Sequence, residues 1–592
     1  MRMRAGLSFV GADYSLHVSN GVNFLNGAIY SINAAALLIG AAGLLSRALG
    51  VLRDRLLASE FGASRDLDIY YAAFQIPDFL YTVFLLGAAS AAIIPVLLEL
   101  KARDEEGARQ FMARLIIVFS IGSIAVSASA FFLMPFLVRF IAPGFSAGDQ
   151  NFLITLSRIM LVSPVLLGIS NILSAAIQSA RIFLIYAVTG IVYNLGIIIG
   201  IIFFLPSFGL PGLAAGVILG AALHVSIQVV PFYRLGFRFP GLASFSSFRF
   251  ALLRDAAFKK LAALSLPRIL ALSLRQITFI ALIAIASTLV SGSIAVLQFS
   301  YNLQYIPVGI FGLSFAVAAF PQLTELWISR DARRWVETVA AASRTIFFWV
   351  APVSVLFYVL RAQIVRVALG AGKFDWTDTI LTAAVFGVFS VAIAAEALIP
   401  LFVRSFYALE NTKKPFLIAF FAACLSIFSA FGLVLLFEYG PAAFTDFLRH
   451  FLKVGDTEGI TVIGLSWAFA LGGIVQVILL FFALKGEVRA RFSVEHPLRM
   501  PWDEFFRISW VSLLAGVVAF GTLRTVNLAV TLDTFLGVFT QGTLSFLAGA
   551  VTYAGVLYLF GNREVEELVG TIHRRLFRRD VLPREFDDSP RE

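Results

Sequence analysis

The chain has 592 residues, of which 59% are hydrophobic and 14% charged, with a net charge of +10. A soluble domain carries about 25% charged residues, so this composition excludes a soluble globular protein and a disordered chain. It also excludes a disulfide scaffold, because the single Cys424 has no partner in the chain. The basic balance does not ask for nucleic acid, since Lys and Arg collect in the cytoplasmic loops of membrane proteins.

About 20 apolar residues span a bilayer. Fourteen segments meet that length, at about 30–60, 67–98, 113–141, 151–178, 183–205, 210–232, 258–287, 293–322, 336–360, 379–408, 415–437, 460–484, 507–525 and 534–560. Basic residues gather in alternate loops: Lys101 to Arg109, Arg234 to Lys260, Arg330 to Arg334, Lys413 and Lys414, and Lys485 to Arg499. The positive-inside rule places these loops and both termini in the cytoplasm. The run Arg574 to Arg579 is expected to anchor at the cytoplasmic face on anionic lipid. The first 27 residues lack a clean apolar core, so no cleaved signal peptide is expected.

The intramembrane polar residues carry the functional information, because a charge at the bilayer centre costs about 2.5–3.5 kcal/mol on insertion scales. In the first helix, Arg47 and Asp54 stand seven apart on one face, with Arg53 on a neighbouring face. Pairing of Arg47 with Asp54 is one outcome; a cationic cavity for an anionic substrate is the other, and is preferred. Arg55 and Arg65, nearer the outer end, are expected to snorkel to headgroups. Asp68 opens the second helix. Arg268, Arg275 and Gln276 mark the seventh, Gln298, Asn302 and Tyr305 form a stripe on the eighth, and the tenth carries Glu396 and Arg404. Arginine suits phosphate because its planar fork bonds in pairs and keeps its proton.

An internal repeat is legible. Pro95-Val-Leu-Leu-Glu99-Leu100 and Pro321-Gln-Leu-Thr-Glu325-Leu326 share the form P-x-L-x-E-L, and each follows an Ile-Pro, at Ile76-Pro77 and Ile306-Pro307. Six helices separate the copies, so they have the same orientation. The expected fold is an all-α polytopic membrane protein with two parallel six-helix lobes and two added C-terminal helices. The divisions are a cytoplasmic segment 1–27, a lobe 28–235, a linker 236–257, a lobe 258–485, the last two helices 486–562 and a basic tail 563–592. Parallel repeats place a substrate near the midplane between lobes. The zinc-protease, hydrolase and dithiol motifs HExxH, GxSxG and CxxC are missing, and Gly372-Lys373 lacks the rest of a phosphate loop. A transporter without cofactor is expected, not an enzyme.

The N-terminal motifs Ser46-Arg47-Ala-Leu-Gly50-Val-Leu-Arg53-Asp54, Phe61-Gly62-Ala63, Ala73-Phe74-Gln-Ile-Pro77 and Gly87-Ala88-Ala-Ser90 resemble the signature of the MurJ/MviN family of lipid II flippases. Ile141-Ala-Pro-Gly-Phe145, Tyr193-Asn194, Pro307-Val-Gly309, Gly372-Lys-Phe374 and Thr412-Lys-Lys-Pro415 extend the resemblance over about 30–485. It implies the multidrug/oligosaccharidyl-lipid/polysaccharide (MOP) flippase fold. It implies transport of lipid-linked peptidoglycan precursor from the inner to the outer leaflet of a bacterial plasma membrane. Arg47 and Arg53 occupy the positions of diphosphate-binding arginines, Asp68 that of a functional acid, and the last two helices that of a groove for the polyprenyl tail.

This sequence also departs from the family pattern. An arginine pair expected in the second helix is replaced by Tyr81-Thr82, and an Asp-Arg pair in the eighth by Tyr301-Asn302. Arg268 and Arg275 are expected to compensate. The substrate-binding set is therefore Arg47, Arg53, Asp68, Arg268, Arg275, Gln276, Gln298 and Asn302, with Asp68 or Glu396 as a candidate cation site and no metal centre. The expected partners are lipid II, membrane lipids and cell-wall synthesis proteins; the chain is expected to be a monomer. Alternating access is expected, assisted by the membrane potential. Export of another polyprenyl-linked glycan and a non-transporting cell-wall scaffold are the alternatives.

Overall fold

The computed structural model describes residues 32–83, 90–239, 273–492, 501–531, 534–567 and 569–570. Among them there is no strand. Among the described residues eleven helices are long and apolar enough to cross a membrane. They match the third to sixth and the eighth to fourteenth of the expected segments. The first segment is the 30-residue helix α1, Ile32–Phe61. The second is broken, and the seventh is described only from its helix Ser273–Ala286. Arg268 and most of the 236–257 linker lie outside the described residues, as do the first 27 residues and most of the tail.

Proline positions explain the breaks. A proline ring clashes with the carbonyl four residues earlier and removes that hydrogen bond. Pro77 therefore acts on Ala73, where α2 (Arg65–Ala73) ends and α3 (Gln75–Tyr81) begins. Pro164 acts in the same way on Met160, where the helix Ala147–Met160 gives way to Val162–Ser179. In the eighth crossing, Ser293–Pro307 passes into a π-helical segment, Val308–Leu313, immediately after Pro307.

The repeated P-x-L-x-E-L segments lie on Ser90–Arg103 and Ser314–Ile328 with the same burial pattern. Leu97 and Leu323 are buried, while Pro95, Glu99, Pro321 and Glu325 are exposed. The fifth and sixth crossings approach through glycine. Gly196 and Gly200 face Gly220 and Gly216, all at four-residue spacing, and a Cβ on Gly216 would stand 2.6 Å from the Gly200 Cα. Close approach through small residues is how helices associate where lipid removes the hydrophobic drive.

The tenth crossing, Trp376–Ala408, is the hub of the second half: 72% of its apolar window is buried, against 22–44% for the other ten. The last two crossings, Trp502–Val526 and Phe535–Leu559, pack on each other and on the ninth, Ala332–Val359. The Tyr553 hydroxyl donates to the Phe348 carbonyl at 2.7 Å. Arg344 reaches both Glu504 (3.3 Å) and Glu564 (2.5 Å). The 438–459 loop folds as a helix, Ala442–Leu452, that exposes the stacked rings of Phe447 and Phe451.

Candidate functional site

A cavity of about 380 Å³ opens among the first, second, fourth, fifth, sixth and eighth crossings. Its charged lining residues are Arg53 and Asp78. Gln298 and Asn302 enter it from the eighth crossing, His224 from the sixth, and Gln75 and Tyr81 from the second.

One hydrogen-bonded chain ties these helices together. Arg53 Nε and Nη2 both donate to Asp54 Oδ1, at 2.9 and 2.7 Å, and its Nη1 donates to Asn194 Oδ1 at 3.3 Å. Asn194 in turn donates to the Ser46 carbonyl and hydroxyl and to the Gly190 carbonyl. Asn302 donates to Asp54 Oδ2 at 2.9 Å, and Gln298 donates to Asn302 Oδ1 at 2.9 Å. Asp54 is thus the partner of Arg53 and Asn302, and the alternative pairing of Arg47 with Asp54 does not form. The Arg47 guanidinium instead lies against Gly309, where a side-chain Cβ would meet it.

Arg275 stands in a second cluster. Its Nη2 is 3.3 Å from Glu396 Oε2, and its Nε and Nη2 donate to the Tyr301 hydroxyl at 3.2 and 3.0 Å. The guanidinium also lies over the Tyr305 ring, 5.2 Å from its centroid. Gln276, on the same turn, is half-buried and does not line the cavity. Among the described residues the charged lining is mixed, with Arg53 and Asp78, where a cationic cavity was expected. Arg275 is held by a carboxylate and a phenol on neighbouring helices, Arg53 is bonded to Asp54, and Asp78 adds a negative charge to the lining.

His224 belongs to a buried polar set. Its Nδ1 is 2.6 Å from the Ser170 hydroxyl, and Gln228 bonds both the His224 carbonyl and Ser170. His224 is therefore held by hydrogen bonds between the fourth and sixth crossings while it also lines the cavity.

At one end of the molecule, loops from the two halves are clasped. Asp68, 1% exposed, accepts from the Gly292 amide at 2.7 Å and the Ala295 amide at 2.9 Å, which caps the helix beginning at Ser293. The Gly144 amide donates to Ser287 Oγ at 3.1 Å, the Ala63 amide to Asp378 Oδ2 at 3.0 Å, and the Lys373 amide to the Ser59 carbonyl at 2.9 Å. Gly62, at φ +63°, makes the turn that allows this approach. Arg55 and Arg65, expected at headgroups, join this end instead. Arg55 donates to the Val367 and Gly370 carbonyls, and Arg65 covers the Phe145 ring.

Asp78 is the residue that sequence reasoning passed over. It follows Pro77 inside an apolar run, and an ionisable residue in such a run is a functional candidate in its own right.

The family model "Lipid II flippase MurJ" matches residues 57–445. A probable lipid II flippase MurJ of Buchnera aphidicola (subsp. Acyrthosiphon pisum) is 29% identical over 450 residues, covering 73% of this chain and 86% of that protein. The lipid II flippase MurJ of Burkholderia cenocepacia is 24% identical over 438 residues, covering 73% and 80%. A solved lipid II flippase MurJ in an inward closed conformation superposes with a TM-score of 0.67 at 23% identity, over 88% of this chain and all of that one. An inward-facing multidrug resistance MATE family transporter of the MOP superfamily shares the fold, with a TM-score of 0.60 at 15% identity, over 76% of this chain and 96% of that one. The chain is a multi-pass membrane protein that belongs to the lipid II flippase MurJ family.

Proposed function

We propose that this chain moves lipid II, the polyprenyl-diphosphate-linked peptidoglycan precursor, from the inner to the outer leaflet of the bacterial plasma membrane by alternating access. The observation that carries the proposal is a polar cavity among helices of both halves, in a chain of this family whose two halves are clasped at one end through Asp68 and Gly292. The residues 28–235 and 258–485 act as two lobes that rock about the cavity, with both termini and the basic loops in the cytoplasm. The clasped loops then face outward, and the state described is closed to the outside.

In this scheme the diphosphate enters from the cytoplasmic side past Arg47, with which no carboxylate pairs among the described residues. It lies beside Arg53, Gln298 and Asn302. The chain Gln298–Asn302–Asp54–Arg53–Asn194 bridges the eighth, first and fifth crossings, so a headgroup that competes for Arg53 or Asn302 alters the contact between lobes. The hydrophobic tail runs along the last two crossings. The test is complementation of a bacterium depleted of its own flippase, followed by measurement of lipid II accessible at the outer leaflet. Growth with restored outer-leaflet lipid II is expected. Lipid II that stays inaccessible while the protein is correctly inserted overturns the proposal.

A further inference from the structure

The cavity has a chemical problem that its arginines do not solve. Among the described residues its one lining guanidinium, Arg53, is already bonded twice to Asp54 and once to Asn194. Taken as formal charges, Arg53, Asp54 and Asp78 sum to −1, and Arg47, against Gly309, does not line the cavity. Asp78 is exposed to the cavity, and among the described residues it has neither a hydrogen bond nor an ion pair through its carboxylate. A diphosphate placed there meets a like charge.

Two more oxygen atoms on the same crossing lack partners, each with almost no accessible surface of its own. Gln75, one helical turn earlier and 3% exposed, donates its amide to the Tyr71 carbonyl at 3.2 Å, which leaves its Oε1 buried without a partner. The Tyr71 hydroxyl is likewise buried without a partner. Both residues line the same cavity. A buried polar atom without a partner costs free energy unless something bonds to it. A carboxylate, an amide oxygen and a phenol oxygen are hard donors, with neither nitrogen nor sulfur among them, and they select hard cations over transition metals.

Among the described residues no three His, Cys, Asp or Glu side chains gather as a metal cage. Magnesium does not need one. It is bound by one or two carboxylates together with substrate phosphates, and it keeps several waters. We propose that Asp78, with the Gln75 side-chain oxygen, forms half of a divalent-cation site, magnesium by its chemistry, which the diphosphate oxygens of the substrate complete. The ion converts the repulsion between Asp78 and the diphosphate into a bridge. It supplies the positive charge that Tyr81, Thr82 and Asn302 do not. This inference rests on the reading of the substrate as a polyprenyl diphosphate.

The experiment uses the full chain in lipid nanodiscs. Binding of lipid II and of bare polyprenyl diphosphate is measured with magnesium chloride, with EDTA, and with EDTA plus excess sodium chloride. For the wild-type chain, chelation is expected to weaken both ligands by about tenfold or more. Asp78→Asn removes the repulsion, so it is expected to bind in EDTA more tightly than wild type does in EDTA, and to change less than about twofold when magnesium is added. A misfolded variant cannot gain affinity, so this outcome does not depend on a loss. Asp78→Glu is expected to keep the magnesium dependence. Equal wild-type affinity with and without magnesium overturns the proposal, as does full restoration by sodium or an undiminished magnesium effect in Asp78→Asn. Lipid II binding that ignores magnesium removes the cation and leaves the functional reading intact. Magnesium-dependent binding of bare polyprenyl diphosphate without any binding of lipid II does the reverse.

Discussion

The Asp68 carboxylate caps a helix that starts more than two hundred residues later, through the Gly292 amide at 2.7 Å and the Ala295 amide at 2.9 Å. Hydrogen bonds to a charged group contribute about 1.5–3 kcal/mol each. Asp68→Asn keeps one acceptor and loses the charge, so it is expected to loosen the clasp. Spin labels at the exposed positions Glu60 and Thr288, in a Cys424→Ser background, report it. A single short distance in the parent and a broadened, longer distribution in Asp68→Asn are expected. Identical distributions would show that the cap does not hold this end closed.

Arg275 and Glu396 form a pair whose members are unequally buried, at 39% and 6% side-chain exposure. Removing one partner of a buried pair costs about 3–5 kcal/mol because the other charge is left uncompensated. Arg275→Met strands the buried carboxylate. Glu396→Gln leaves a half-exposed guanidinium that keeps its Tyr301 and Tyr305 contacts. Arg275→Met is therefore expected to lower thermal stability more than Glu396→Gln, and the double variant is expected to recover part of the loss. Additive losses would mean that the two groups are not coupled.

The glycine crossing of the fifth and sixth helices gives a packing test. A Cβ at Gly216 meets the Gly200 backbone, which cannot rotate away as a side chain would. Overpacking of this kind costs about 1–3 kcal/mol. Gly216→Val is expected to lower the unfolding temperature in detergent, while Gly432→Val, where nothing lies within 4 Å, is expected to leave it unchanged. The two variants behaving alike would contradict the packing.

The charge carried across the membrane decides how transport responds to voltage. Each charge moved through 100 mV is worth about 2.3 kcal/mol, and a bare diphosphate carries about two negative charges, so composition alone predicts strong assistance from the potential. A divalent ion that crosses with the diphosphate cancels that charge. In proteoliposomes containing magnesium, collapse of the potential is expected to change the flipping rate by less than about twofold. A tenfold or larger slowing would mean that the diphosphate crosses uncompensated.

Hydropathy alone located eleven of the fourteen expected crossings among the described residues, because the bilayer sets a length that only apolar runs satisfy. Local sterics marked where breaks can fall, and packing decided which of them form. Pro77 and Pro164 act four residues back, at Ala73 and Met160, where helices end, whereas Pro135, Pro352 and Pro400 lie inside unbroken helices. The repeat was legible for the same reason, since P-x-L-x-E-L presents one buried leucine wherever it lies on a helix. The pairing of charges was decided only in three dimensions. Arg47 and Asp54 share a helical face, yet Asp54 bonds to Arg53 and to Asn302, 248 residues away. Arg275 turns to Glu396 on another crossing. Electrostatic partners are chosen by distance in space, at a few ångströms, and no spacing along one helix encodes which neighbouring helix supplies them. Asp78 was legible as an ionisable residue in an apolar run, but its lack of a partner is a property of what surrounds it.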